Sequence, residues 1–168
     1  MRKTLVGVMG PGDAASQKAE EMGFVLGKLI AKEGWVVLSG GRNAGVMEAV
    51  NKGAKSENGL TLGILPISDN SHTSEYVDMT VLTGMGSARN NIEILSADAL
   101  IVVAESMGSG TASEACLAIK AKKPIILLAP DTTAKSFFEN LSKTLTHTVK
   151  TPEEAIAKTK ELLQYIYQ

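Results

Sequence analysis

Six short apolar runs alternate with stretches of helical character: TLVGVM, WVVLS, LTLGILP, MTVLT, ALIVVA and PIILLA. Most are apolar at consecutive positions, the pattern of parallel strands covered on both faces. Strands that alternate with helices imply an α/β fold, a doubly wound and mainly parallel sheet with helices on both faces and right-handed crossovers. In such a sheet the ligand site lies at the carboxyl ends of the strands, near the switch in strand order. The loops that follow the strands are therefore where function is sought.

Between the first two runs, Ala19, Met22, Leu26, Leu29 and Ile30 form a helical stripe that Gly34 is placed to end. SARNNIEILSA and TASEACLAIKA read as helices before the fifth and sixth runs. The last helix opens with Thr151 as cap, Pro152 as first residue and Glu154 completing a capping box. Its Ala155, Ile156, Leu162, Leu163 and Ile166 are expected to face the sheet. ISDNSHTSEY, residues 67–76, is polar and aperiodic, and is expected to be a mobile loop.

Composition narrows the function. The net charge is −1 and aromatic residues make up 4%, so neither a basic nucleic-acid surface nor a base-stacking platform is expected. No apolar run approaches the roughly 18 residues of a membrane span, so no membrane partner is expected. MRKTLVGVMG is basic and then apolar, but its apolar part is short and broken by glycines, and it reads as a strand, not a signal peptide. The single cysteine, Cys116, excludes an internal disulfide, suits a reducing cytoplasm and is expected in the core. His72 and His147 have no partners at metal-ligand spacing, so no metal site is assigned.

Four glycine-bearing loops follow strands: GVMGPGDA, SGGRNAGVM, TGMGSARNN and SMGSGTASE. Each leads into a helix, whose N-terminus offers unpaired N–H donors and a partial positive charge to an anion. Gly10, Gly12, Gly41, Gly86, Ser87, Gly108 and Gly110 are the candidate backbone contacts. None of the loops has the spacing of a P-loop or the full dinucleotide fingerprint. Tight turns alone would also explain the glycines, though not a run such as SGSGT.

The arginines sharpen this picture. The chain has fourteen lysines and three arginines, and two of the three, Arg42 and Arg89, lie in glycine loops. Arg89 starts a helix, against the macrodipole, and so wants a negative partner, either a ligand or a carboxylate such as Glu114. Ser109 and Thr111 offer hydroxyls, while Asn43, Asn90 and Asn91 offer amides suited to the edge of a heterocycle. Met9, Met47, Met85 and Met107 fall one to each loop, to line a flat ligand or to pack beneath the loops.

SGGRNAGVM, GSARNN with Arg89, and GSGTASE with Thr111 and Glu114 resemble the motifs of Rossmann-like proteins once labelled possible lysine decarboxylases, many of them cytokinin-activating phosphoribohydrolases of the LOG family. The resemblance covers nearly the whole chain. The hydrolases' Pro-Gly-Gly is replaced here by Ser106-Met107-Gly108, their Arg-Lys by Arg89-Asn90 and their Glu-Glu by Ser113-Glu114. With GVMGPG, GSARNNI, SMGSGTA and AIKAKKPI, the chain more closely resembles the molybdenum cofactor carrier proteins of algae and cyanobacteria.

That resemblance implies a single Rossmann-like ligand-binding domain over residues 1–168 that binds, protects and delivers molybdenum cofactor (molybdopterin) without turnover. It implies a homodimer or homotetramer, and a molybdoenzyme or cofactor-insertion protein as recipient. Gly10, Gly12, Gly41, Arg42, Asn43, Gly86, Ser87, Arg89, Gly108, Ser109, Gly110 and Thr111 are the expected contacts. The alternative is a LOG-like phosphoribohydrolase acting on nucleoside 5′-monophosphates, with Arg89 and Glu114 as its catalytic residues.

Overall fold

The computed structural model describes residues 2–166, with side chains through residue 164. In chain order the elements are β1 (Leu5–Met9), α1 (Gln17–Lys32), β2 (Val36–Ser39), α2 (Gly45–Ser56), β3 (Leu60–Leu65) and β4 (Met79–Leu82). A 3-10 turn (Gly86–Ala88) leads into α3 (Arg89–Ser96), and then follow β5 (Ala99–Val103), α4 (Ser109–Lys120), β6 (Ile125–Leu128), α5 (Thr132–Leu141), β7 (Thr146–Val149) and α6 (Pro152–Ile166). The strands form one sheet in the order β4-β3-β2-β1-β5-β6-β7, and every neighbouring pair is parallel. This is the α/β, Rossmann-like doubly wound sheet that the apolar runs imply.

Side-chain alternation along each strand divides the core in two. Val6 and Val8 of β1 and Ile101 and Val103 of β5 face α1, α2 and α6, where Leu26, Ile30, Val50 and Ile156 cover them. Met9, Leu100 and Val102 point the other way, under Ile94 of α3, Ala115 of α4 and Phe138 of α5. Burial on both faces is why these strands read as unbroken apolar runs.

The helix ends follow local chemistry. The Ser16 hydroxyl accepts from the Ala19 N–H to cap α1, and Gly34, at φ +73°, ends it with its N–H on the Ala31 carbonyl. The Thr151 hydroxyl accepts from Glu154 N–H, while the Glu154 carboxylate accepts from the backbone N–H of Lys150. In α6, Ala155, Ile156 and Leu163 are buried and Leu162 is half-buried, whereas the Ile166 side chain lies outside the described residues.

Three features depart from the sequence reading. The run MTVLT is not covered on both faces: β4 is an edge strand and all four of its residues are exposed. The pair α5 and β7 extends the sheet beyond the six runs; THTV is too polar to stand out as a strand. The 67–76 segment has no regular structure, but it is pinned to the second glycine loop. Asn43 N–H donates to the His72 carbonyl and Ser74 N–H to the Gly41 carbonyl, an isolated antiparallel bridge. Cys116 is partly buried against the α3–α4 side of the core.

Candidate functional site

The strand order switches between β1 and β5, which run side by side but lead to opposite ends of the sheet. The loops after them diverge and leave a cleft of about 590 Å³. All four glycine loops reach it, joined by Pro66 from the end of β3.

Close backbone packing shapes the cleft wall. Val46 N–H donates to the Pro11 carbonyl, tying the loop after β1 to the first turn of α2. Gly45, at φ +51°, permits this: a Cβ there would stand 2.4 Å from the Pro11 oxygen and 2.2 Å from that of Gly12. The opposite wall is the start of α4. Gly108 is its N-cap residue and Ser109, Gly110 and Thr111 form its first turn, so unpaired N–H groups and the positive end of the helix dipole belong to the cleft. A Cβ at Gly108 or Gly110 would meet no atom within 4 Å. The space beside these two glycines is open.

Arg89 supplies the buried cation. It is 6% exposed, lines the cleft, and forms an ion pair through Nη1 with Glu93, one turn further along α3. Its Nε is buried with no hydrogen-bond partner. Such an orphaned donor is costly unless a ligand takes it up. Glu93 and Glu114 also line the cleft. Burial pushes the Glu93 carboxyl up to about 8; the Arg89 charge opposes the rise and the Glu114 charge adds to it. Burial likewise raises Glu114 to about 7 against the pull of Arg89. At the rim, Arg42 pairs with Asp13 at 3.2 Å.

Arg89, Arg42 and the N-terminus of α4 line one cleft, the kinds of group that suit an oxyanion. Met9 and Met47 line the neighbouring wall, and Asn90 adds an amide. Among the described residues no group of three His, Cys, Asp or Glu side chains is placed to hold a metal ion.

The model of the SLOG cluster4 family matches residues 3–156. The chain belongs to that family. A protein of Archaeoglobus fulgidus is 36% identical over 93% of this chain and 94% of its own. The molybdenum cofactor binding protein of the phototrophic bacterium Rippkaea orientalis is similar in structure, with a TM-score of 0.91 and 46% identity over 100% of this chain and 99% of that one. The molybdenum cofactor carrier protein of Chlamydomonas reinhardtii superposes with a TM-score of 0.90 and 45% identity, over 97% of this chain and 99% of that one.

In this SLOG family member, Gly10, Gly12, Arg42, Gly86, Ser87, Arg89, Gly108, Ser109, Gly110, Thr111 and Glu114 come together in the cleft. Gly41 and Asn43 are not among the lining residues. Gly41, at φ +72°, turns the chain where a Cβ would stand 2.9 Å from the Gly63 Cα, and Asn43 lines a separate groove between α1 and α2. Of the methionines, Met9 and Met47 line the cleft, Met107 packs against the core and Met85 is exposed. Glu93, not Glu114, forms the ion pair with Arg89. Sequence reasoning missed Glu93, although its spacing of four from Arg89 on one helix was the available signal.

Proposed function

We propose that this chain is a carrier of molybdenum cofactor, which it binds in the cleft at the β1–β5 switch, shields, and passes to a molybdoenzyme or cofactor-insertion protein. The observation that carries this reading is the buried, orphaned Arg89 Nε beside an open glycine-lined helix N-terminus. That pairing suits the phosphate or the oxo-anion of the cofactor. Met9 and Met47 suit a flat pterin. The likeness to the carrier and binding proteins of Chlamydomonas reinhardtii and Rippkaea orientalis, at 45% and 46% identity over nearly the whole chain, supports the same ligand.

The reading includes self-association into a homodimer or homotetramer. Met79, Val81 and Leu82 on the edge strand β4, and Met85 just beyond it, are between 39% and 51% exposed. An apolar sheet edge of this kind invites pairing, and a second copy of the chain would cover it. The reading extends to a cytoplasmic location, which a single cysteine suits. No helix among the described residues is long and apolar enough to cross a membrane.

The test is anaerobic equilibrium binding of molybdenum cofactor with AMP as competitor. Micromolar or tighter binding that AMP does not displace supports the carrier. Absence of cofactor binding, with AMP bound or cleaved to free base, overturns it in favour of a phosphoribohydrolase.

A further inference from the structure

Arg89 is outnumbered in its own site. Glu93 pairs with it on α3, and Glu114 lines the same cleft from α4, close enough for the charges of all three to act on one another. With every group ionised, one guanidinium between two carboxylates leaves a single net negative charge in a buried place. The surrounding charges do not offset it. Arg42 and Asp13 at the rim pair with each other. Lys123 lies at the far end of α3, where it donates to the carbonyls of Ile94, Leu95 and Ala97. Besides Arg89, the partial positive charge at the start of α4 favours an anion. An incoming oxyanion therefore meets a site that attracts it through Arg89 and repels it through the two glutamates.

We infer that an anion enters this cleft together with a proton, which the Glu93–Glu114 pair takes from solvent as the anion binds. Neutralising one carboxyl removes the excess charge and leaves an O–H donor in the cleft beside the guanidinium. The bound anion in turn holds that proton more tightly, because the linkage is reciprocal. Burial already pushes both carboxyls up. Below about pH 8 one proton is in place before the anion arrives. As pH rises beyond that, the proton must be taken up on binding, and the dissociation constant climbs toward about tenfold per pH unit for a single proton. A phosphate on the ligand does not mimic this, since its second ionisation, near pH 6, lies below that window. The identity of the anion rests on the carrier reading; the proton linkage rests on the three side chains.

The experiment is anaerobic titration of molybdenum cofactor from about pH 6.5 to about pH 9, on the wild type and on a Glu93→Gln, Glu114→Gln double variant. The expected result is a dissociation constant that rises about tenfold or more between pH 7 and pH 9 in the wild type and stays flat in the double variant. A flat wild-type profile, or the same slope in the variant, overturns the inference. If the cofactor binds at no pH, the carrier reading fails; the same titration with molybdate then decides the linkage by the same two outcomes. Since the double variant breaks a buried ion pair, carbon-13 carboxyl shifts of the wild-type glutamates provide a test without substitution. Saturating anion must move the titration of Glu93 and Glu114 to higher pH, and unmoved midpoints refute the coupling.

Discussion

The Arg89 guanidinium lies against the backbone of Gly40, so closely that a Cβ there would stand 2.5 Å from both of its terminal nitrogens. Gly40 directly follows β2 and Arg89 begins α3, so two distant segments meet at this contact. The Met47 sulfur would be 2.6 Å from the same Cβ. Both neighbours are ends of flexible side chains and can move, which makes the expected effect of Gly40→Ala functional more than structural. The methyl group displaces Arg89, and cofactor affinity falls about tenfold or more, at least 1.4 kcal/mol. Arg89→Ala gives a loss of the same size, and the double variant adds little, because both changes remove one interaction. Equilibrium titration of the three variants checks this; additive losses would mean that Gly40 acts elsewhere.

Gly110 offers the opposite separation. It lies in the first turn of α4, and a Cβ there meets nothing within 4 Å. Glycine in a helix is worse than alanine by up to about 1 kcal/mol. Gly110→Ala is therefore expected to leave stability unchanged or slightly raised while it crowds the cleft and weakens the ligand. Thermal unfolding and binding of the one variant should move in opposite directions. Unweakened binding would show that the ligand does not approach the start of α4.

The legible part of this molecule is the part that repeats a physical pattern. Strands buried on both faces must be apolar throughout, so β1, β2, β5 and β6 stand out, and with them the loops at their carboxyl ends. β7 does not, because Thr146 and Val149 alone are buried and His147 and Thr148 break the run. β4 misleads for the converse reason: MTVL is as apolar as a central strand, yet it lies at the edge, and nothing local distinguishes a face covered by a helix from one left open. At the site, the loop glycines and Arg89 were visible from their spacing. Gly40 and Gly41 show what was not. Adjacent in sequence and identical in type, one abuts the buried guanidinium and the other turns the chain against Gly63, a difference that only the fold creates.

The exposed apolar edge leads to a prediction about assembly. Val81, at the middle of β4, is 43% exposed, and its substitution touches neither the cleft nor the buried core. A lysine on a strand edge opposes edge-to-edge pairing. Val81→Lys is expected to shift the protein from dimer or tetramer to monomer in sedimentation equilibrium while its far-ultraviolet circular dichroism stays the same. An unchanged mass would mean that the copies meet through another face.

The buried carboxylates also make stability depend on pH. In the unfolded chain a glutamate titrates near about 4.3, whereas in the folded protein Glu93 is raised to about 8 and Glu114 to about 7. Between those limits the folded state binds more protons than the unfolded one, so stability falls as pH rises. The contribution of this pair is fully present below the unfolded value and is lost as pH climbs through the folded ones. The melting temperature without ligand is thus expected to decline from about pH 5 toward about pH 8. Glu114→Gln, which cannot ionise, should flatten that decline. Differential scanning calorimetry across the range decides it: a melting temperature that rises with pH over this interval, and a Glu114→Gln profile parallel to the wild type, would show that both carboxyls stay ionised beside Arg89.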